Sequence, residues 1–174
     1  MPKVVIVGGG WAGSAAALAA KKAGADVILL ERTDMLLGTG LVGGIMRNNG
    51  RFTATEEMIA MGGGELFNVT DTVARHRNID FPGHKHASLY DVAKVEPAVK
   101  NLLLNHGVEI HTQSRVKDVK ADNNKIQAVI TDSNEIFEGD VFVEATGTAG
   151  PQSNCTKYGN GCAMCIYRCP SYGP

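Results

Sequence analysis

The sequence carries almost no excess charge: 17 Lys+Arg against 18 Asp+Glu leave a formal net charge of −1. Gripping a phosphate backbone needs a basic excess, so no nucleic-acid partner is expected. No polybasic patch for a membrane surface is present either. Long hydrophobic runs are lacking. The longest apolar stretch, around Ala15–Ala20, is cut by Lys21 and Lys22, far short of the ~20 residues a membrane span needs. The apolar run after Lys3 is interrupted by Gly8, Gly9 and Gly10, which argues against a secretory leader, so a cytoplasmic protein is the expectation. No cysteine precedes Cys155, and in a cytoplasmic chain the four present call for an explanation other than structural disulfides. There is no internal repeat, and no Ser/His/Asp constellation can be assembled.

What is present is 174 residues, 44% of them hydrophobic, enough for one domain with a short appendage and a buried core. Glycine is the outlier: 21 residues, roughly 12% against a usual ~7%. Excess glycine marks places where the backbone turns sharply or something approaches it closely.

The first such place opens the chain. Lys3–Val7 is a continuous β-branched run and reads as a buried strand. It leads into Gly8-Gly9-Gly10-Trp11-Ala12-Gly13, then an Ala/Leu-rich helix over Ser14–Ala23 with Lys21 and Lys22 in its last turn and Gly24 beyond it. Asp26–Glu31 is a second strand closed by an acid. This is G-x-G-x-x-G in its required context of strand, turn, helix, strand and acid. Gly8 permits the turn, Gly10 clears space for a pyrophosphate, and Gly13 lets helix and strand pack closely. The helix N-terminus favours phosphate. Glu31 is placed to accept ribose hydroxyls and disfavours a 2′-phosphate, hence NADP.

Arg32–Gly50 reads as a glycine-dotted loop able to wrap back over the phosphates. Thr53 and Glu56 suit a capping box for a helix through Met61, broken by Gly62-Gly63-Gly64. Glu65–Arg75 reads as another helix and Arg75–Ala87 as irregular. Glu96–His106 reads as a helix with Pro97 in its first turn and an apolar face of Val99, Leu102 and Leu103. Strands are expected at Val108–Thr112, Arg115–Asp122 and Lys125–Thr131, with a turn at Asn123-Asn124. Asp132-Ser133-Asn134 makes another turn, followed by strands at Glu135–Phe137 and Asp140–Val143. The fold class is thus α/β, a Rossmann-like domain over residues 1–150 with a mostly parallel sheet plus a β-meander. Residues 151–174 form a short Cys-rich tail.

The residues VVIVGGGWAG (Val4–Gly13), VILLER (Val27–Arg32), GTGLVGG (Gly38–Gly44) and VFVEATG (Val141–Gly147) resemble the two-dinucleotide-binding-domain flavoproteins. The chain looks most like FAD-dependent oxidoreductases of the FAD_oxidored type and is more distantly similar to the FAD proteins of tRNA uridine modification. The resemblance covers roughly the first 150 residues. It implies FAD as cofactor, with Gly8, Gly10 and Gly13 on the pyrophosphate, Glu31 on the adenosine ribose and Arg32 beside the adenine. It implies Thr39 and Gly40 near the phosphates or ribitol, Val116 pairing its backbone with adenine, and Ala145 and Gly147 passing close to the cofactor. The chain departs from the family at Trp11, where a small residue or Pro is usual. It also lacks the substrate domain and second cofactor motif. The expectation is therefore a fragment, a site completed by a partner chain or a second copy, or an exposed flavin ring.

The cysteines follow the spacing C-x6-C-x2-C-x3-C-P: Cys155, Cys162, Cys165 and Cys169, then Pro170. The latter part matches a ferredoxin run, and four thiolates suit a 4Fe-4S cluster that would pass electrons singly beside a two-electron flavin. The alternatives are a redox-active Cys162/Cys165 dithiol, a four-cysteine zinc site, or uninvolved thiols. His76, His84 and His86 read as a solvated loop, His106 as a helix-end residue and His111 as an outward strand residue. The function expected is an FAD-dependent oxidoreductase, or its FAD-binding portion, acting on a small-molecule or electron-carrier substrate. The alternatives are a dithiol–disulfide flavoprotein and a non-catalytic electron-transfer subunit. Few catalytic protein groups are expected, because the cofactor carries the hard step.

Overall fold

The structure is a computed structural model that describes residues 1–43, 45–47, 55–82, 84–147 and 150. The described chain divides into two compact units: Met1–Thr39 with the chain from Leu103 onward, and Gly40–Leu102.

The first unit is built on four parallel strands in the order β10-β1-β2-β6: β1 (Lys3–Val7), β2 (Asp26–Leu30), β6 (Glu109–His111) and β10 (Val141–Glu144). Helix α1 (Trp11–Lys22) connects β1 to β2. Strand alternation sorts the apolar residues onto two faces. Val5 and Val7, with Ile28 and Leu30 beside them in register, face a second, antiparallel sheet of β7 (Val116–Asp122), β8 (Lys125–Thr131) and β9 (Ile136–Glu138). Val129, Val116, Phe137 and Phe142 complete that cluster. α1 buries Gly13, Ser14, Ala17 and Leu18, so small residues let it lie close on the sheet. The fold class read from the sequence is the one observed, and the strand boundaries shift by a residue or two. Asn123 and Asn124 both have positive φ (47° and 62°), the backbone that a two-residue hairpin turn demands.

The second unit holds α2 (Gly40–Gly43), β3 (Ile45–Arg47), α3 (Thr55–Met58), α4 (Gly64–Thr72), β4 (Ala74–Phe81), β5 (His84–Tyr90) and most of α5 (Val92–Asn105). The stretch expected to be loop thus contains the short elements α2 and β3. Thr53, half of the expected capping box, lies outside the described residues. α3 runs into a π-helical turn, Ile59–Gly63, and the chain kinks at Gly62 (φ 95°).

Residues Arg75–Ala87 are not irregular: β4 and β5 pair as an antiparallel hairpin, with β3 on the far side of β5. The sequence hid this because Arg75, His76, Arg77 and Asn78 are consecutive exposed polar residues with no apolar alternation. The register also slips, and Asn78 and His86 adopt positive φ (50° and 54°). His86 Nδ1 and Asn78 Oδ1, 2.9 Å apart, tie the two strands where the register slips. His76 and His86 are therefore strand residues.

α5 starts at Val92, four residues earlier than its proline suggested. Asp91 is its cap: Oδ1 accepts the Ala93 N–H at 3.0 Å. That bond holds the Asp91 carboxyl below its ordinary range, burial opposes it, and the Arg75 guanidinium at 3.0 Å adds to the lowering. Pro97 sits inside the helix on an exposed face, where water can satisfy the carbonyl it leaves unpaired, while Val95, Val99 and Leu103 form the buried stripe.

Candidate dinucleotide site

The end of β1 turns at Gly8, where φ is +105°. Gly8 N–H donates to Leu30 O at 2.8 Å, and Ala145 N–H donates to Val7 O at 2.8 Å, so the turn is pinned between β2 and the end of β10. A Cβ on Gly8 would lie 2.4 Å from Ala145 O, and one on Gly13 would lie 1.8 Å from Gly8 O. A Cβ on Gly9 would lie 2.6 Å from Leu36 Cδ2, because the loop after Glu31 returns to the turn and Leu37 N–H bonds Gly9 O at 2.9 Å. Gly8 and Gly13, which face backbone atoms, are therefore required by the protein's own packing, while Gly9 faces the end of a leucine side chain.

Gly10 is different. Its backbone, φ −68° and ψ −173°, suits any residue, and a Cβ there would meet nothing within 4 Å. The space beside it is open, and it caps α1 without a side-chain cap bond or an acid in the first turn. The positive end of a twelve-residue helix meets that space.

Glu31 is 7% exposed. Its Oε2 accepts Gly9 N–H at 2.8 Å and its Oε1 accepts Thr33 N–H at 2.9 Å and the Thr33 hydroxyl at 3.0 Å. A carboxylate offers about four acceptor positions, so three protein donors leave room for a ribose hydroxyl. The backbone of Glu31 is fixed on both sides, with its N–H on His111 O and its carbonyl taking Ser114 N–H, each at 2.8 Å.

Gly8 and Glu31 open onto a cleft of about 510 Å³ in the first unit, a size within the usual range for small-molecule sites, whereas Gly10 and Gly13 do not line it. Gly8, Glu31, Arg32 and Val116 line it together. Ala145 packs beside Gly8 and Gly13 and Gly147 turns the chain at φ +75°, but neither lines the cleft. Thr39 is exposed and does not line the cleft, and Gly40 opens α2 in the second unit, where its carbonyl takes the Tyr90 hydroxyl. Cys155, Cys162, Cys165 and Cys169 lie outside the described residues. Among the described residues no group of three His, Cys, Asp or Glu is placed to hold a metal, and no helix is long and apolar enough to cross a membrane.

Sequence reasoning overlooked Ser114, Arg115, Glu144 and Thr146, which also line the cleft. Glu144 was visible in the VFVEATG stretch. Its Oε1 accepts the Thr146 N–H at 2.7 Å and also takes the Thr146 hydroxyl, shaping the turn after β10. Ser114 and Arg115 carried no motif signal, because β6 and β7 bring them to Glu31 only through the fold.

The parallel sheet, glycine turn and meander define the Rossmann-like α/β fold of FAD-binding proteins. The chain belongs to the glucose inhibited division protein A family, a family of FAD-binding flavoproteins, whose model matches residues 3–174. Solved structures of similar fold include Aquifex aeolicus GidA, 23% identical over 84% of this chain and 25% of that one, with a TM-score of 0.71. The Diels-Alderase PyrE3 of pyrroindomycin biosynthesis is 20% identical over 90% of this chain and 35% of that one, TM-score 0.66. CtdE, solved with FAD and a substrate, is 19% identical over 89% of this chain and 40% of that one, TM-score 0.63. The chain spans between a quarter and two fifths of the length of these proteins.

Proposed function

We propose that this chain is the FAD-binding part of an FAD-dependent oxidoreductase and that it holds the adenosine and pyrophosphate half of the cofactor. The observation that carries this reading is Gly10. Gly8 and Gly13 are glycine because a side chain would collide with the backbone, whereas at Gly10 only a ligand would use the missing side chain. In this reading α1 turns its positive end to the pyrophosphate, Gly10 lets the phosphates reach the backbone, and Glu31 takes a ribose hydroxyl. Arg32 and Val116 receive the adenine. When bound, FAD supplies hydride or paired-electron transfer through its isoalloxazine ring. The flavin end is enclosed by further polypeptide, a partner chain or a second copy. The substrate is a small molecule or an electron carrier, and the compartment is the cytoplasm.

The C-x2-C-x3-C-P spacing favours an added iron–sulfur reading: Cys155, Cys162, Cys165 and Cys169 as ligands of a 4Fe-4S cluster, with a Cys162/Cys165 dithiol as the second reading. The test is a visible spectrum of the full chain purified without oxygen, with iron and acid-labile sulfide assayed on the same sample. Flavin bands with iron and sulfide support both parts. Flavin without iron removes the cluster and leaves the dithiol, checked by thiol titration. Bound flavin with no acceptor reduced in turnover assays marks a non-catalytic subunit. A colourless protein that takes up no added FAD overturns the reading.

A further inference from the structure

Arg115 has no part in the glycine motif, the ribose acid or the strand-end turn, yet it lines the same cleft as Arg32. Both lie on backbone that is stapled together. Gln113 N–H bonds Thr33 O and Ser114 N–H bonds Glu31 O, each at 2.8 Å, so residues 113–114 run against residues 31–33. Arg115 itself is anchored by its carbonyl, which takes Asp132 N–H at 2.8 Å. Its side chain is exposed and, among the described residues, has no hydrogen-bond partner. The cleft they line is also lined by the apolar residues Leu30, Val116 and Val129. The nearby acid, Glu31, turns its carboxylate toward Gly9 and Thr33.

A cleft lined by two arginines and by apolar side chains suits a flat, electron-rich aromatic ring. A guanidinium stacks on such a ring through both its plane and its charge, and is weakly enough hydrated to do so. We infer that Arg115 is a purine-contacting residue that, with Arg32, holds the adenine ring of the bound dinucleotide in the cleft beside Val116. This rests on the FAD reading above and adds a specificity determinant to it. A different source of the same attraction is a phosphate on the adenosine ribose, which two arginines could also hold.

The test is equilibrium binding of FAD, ADP and 2′,5′-ADP to the full chain and to Arg115→Ala, Arg115→Lys and Arg115→Met, with thermal unfolding of each variant without ligand. Arg115 is held by its backbone, so all three variants are expected to unfold at the wild-type temperature. Arg115→Ala is expected to weaken FAD and ADP alike by about 5–30-fold. Arg115→Lys recovers only part of the loss, because an ammonium cannot stack as a plane, and Arg115→Met recovers less. Equal Kd for FAD in wild type and Arg115→Ala overturns the inference while leaving the FAD reading intact. A loss confined to 2′,5′-ADP also overturns it, assigning Arg115 to phosphate. Wild-type protein that binds neither FAD nor ADP overturns both.

Discussion

The carboxylate of Glu31 holds the backbone N–H of Gly9 at 2.8 Å, joining the end of β2 to the turn after β1. The acid proposed to take a ribose hydroxyl therefore also braces the turn that would carry the phosphates. Glu31→Gln puts an amide NH2 where one carboxylate oxygen now accepts a backbone N–H. Loss of such a charged, buried bond costs about 1–3 kcal/mol, and both the unfolding temperature and FAD affinity are expected to fall together. Parallel thermal melts and FAD titrations check this. Lost affinity with an unchanged melt would show that the brace is not structural.

Glycine substitutions separate folding from binding. Gly8→Ala and Gly13→Ala meet backbone oxygen at 2.4 and 1.8 Å and are expected to destabilise by about 3–5 kcal/mol or to prevent folding. Gly10→Ala meets nothing and is expected to stay within about 1 kcal/mol of wild type. Its FAD affinity is expected to drop at least about tenfold, since a methyl group would occupy the phosphate approach. A melt and a flavin titration on each variant decide the matter.

The Asp91 cap makes a pH prediction. Its folded pKa lies below the ordinary 3.8, first through the Ala93 N–H and then through Arg75. A lowered carboxylate pKa means the unfolded chain binds the proton more readily, so the stabilisation is complete above the unfolded pKa. It is lost as pH falls through the folded value. Asp91→Asn, which keeps a capping oxygen, is expected to be less stable than wild type at neutral pH and equal to it in strong acid. Denaturant midpoints across that range test the sign.

The hairpin turn at Asn123-Asn124 tolerates glycine. At φ 62°, Asn124→Gly is expected to leave stability unchanged or raise it by a few tenths of a kcal/mol, whereas Asn124→Val should cost about 1–2 kcal/mol. Unfolding midpoints of the two variants, one on each side of wild type, are the measurement.

Thiol substitution tests the tail. If the cysteines hold a cluster, Cys162→Ser and Cys165→Ser each remove most iron and sulfide and leave flavin content unchanged. Loss of flavin with the iron would instead tie the tail to the cofactor site.

The local sequence by itself determined the β1–turn–α1–β2 unit, the acid at residue 31 and the Asn-Asn turn. Each rests on short-range rules: β-branched runs extend, glycine supplies turns, and Asn accepts positive φ. Local reading failed where pairing or capping partners lay elsewhere. The β4–β5 hairpin has no apolar alternation and exists because two polar strands pair across slipped registers. α5 begins at an aspartate whose claim as a cap was masked by the stronger signal of Pro97. The site divides the same way. Gly8, Gly10, Gly13 and Glu31 could be named from spacing alone, but which glycines serve packing and which serves a ligand depends on what a Cβ would touch. Arg115 reaches the cleft only because backbone hydrogen bonds lay residues 113–114 against residues 31–33. Such contacts between distant residues depend on the assembled sheets, so tertiary structure decided them.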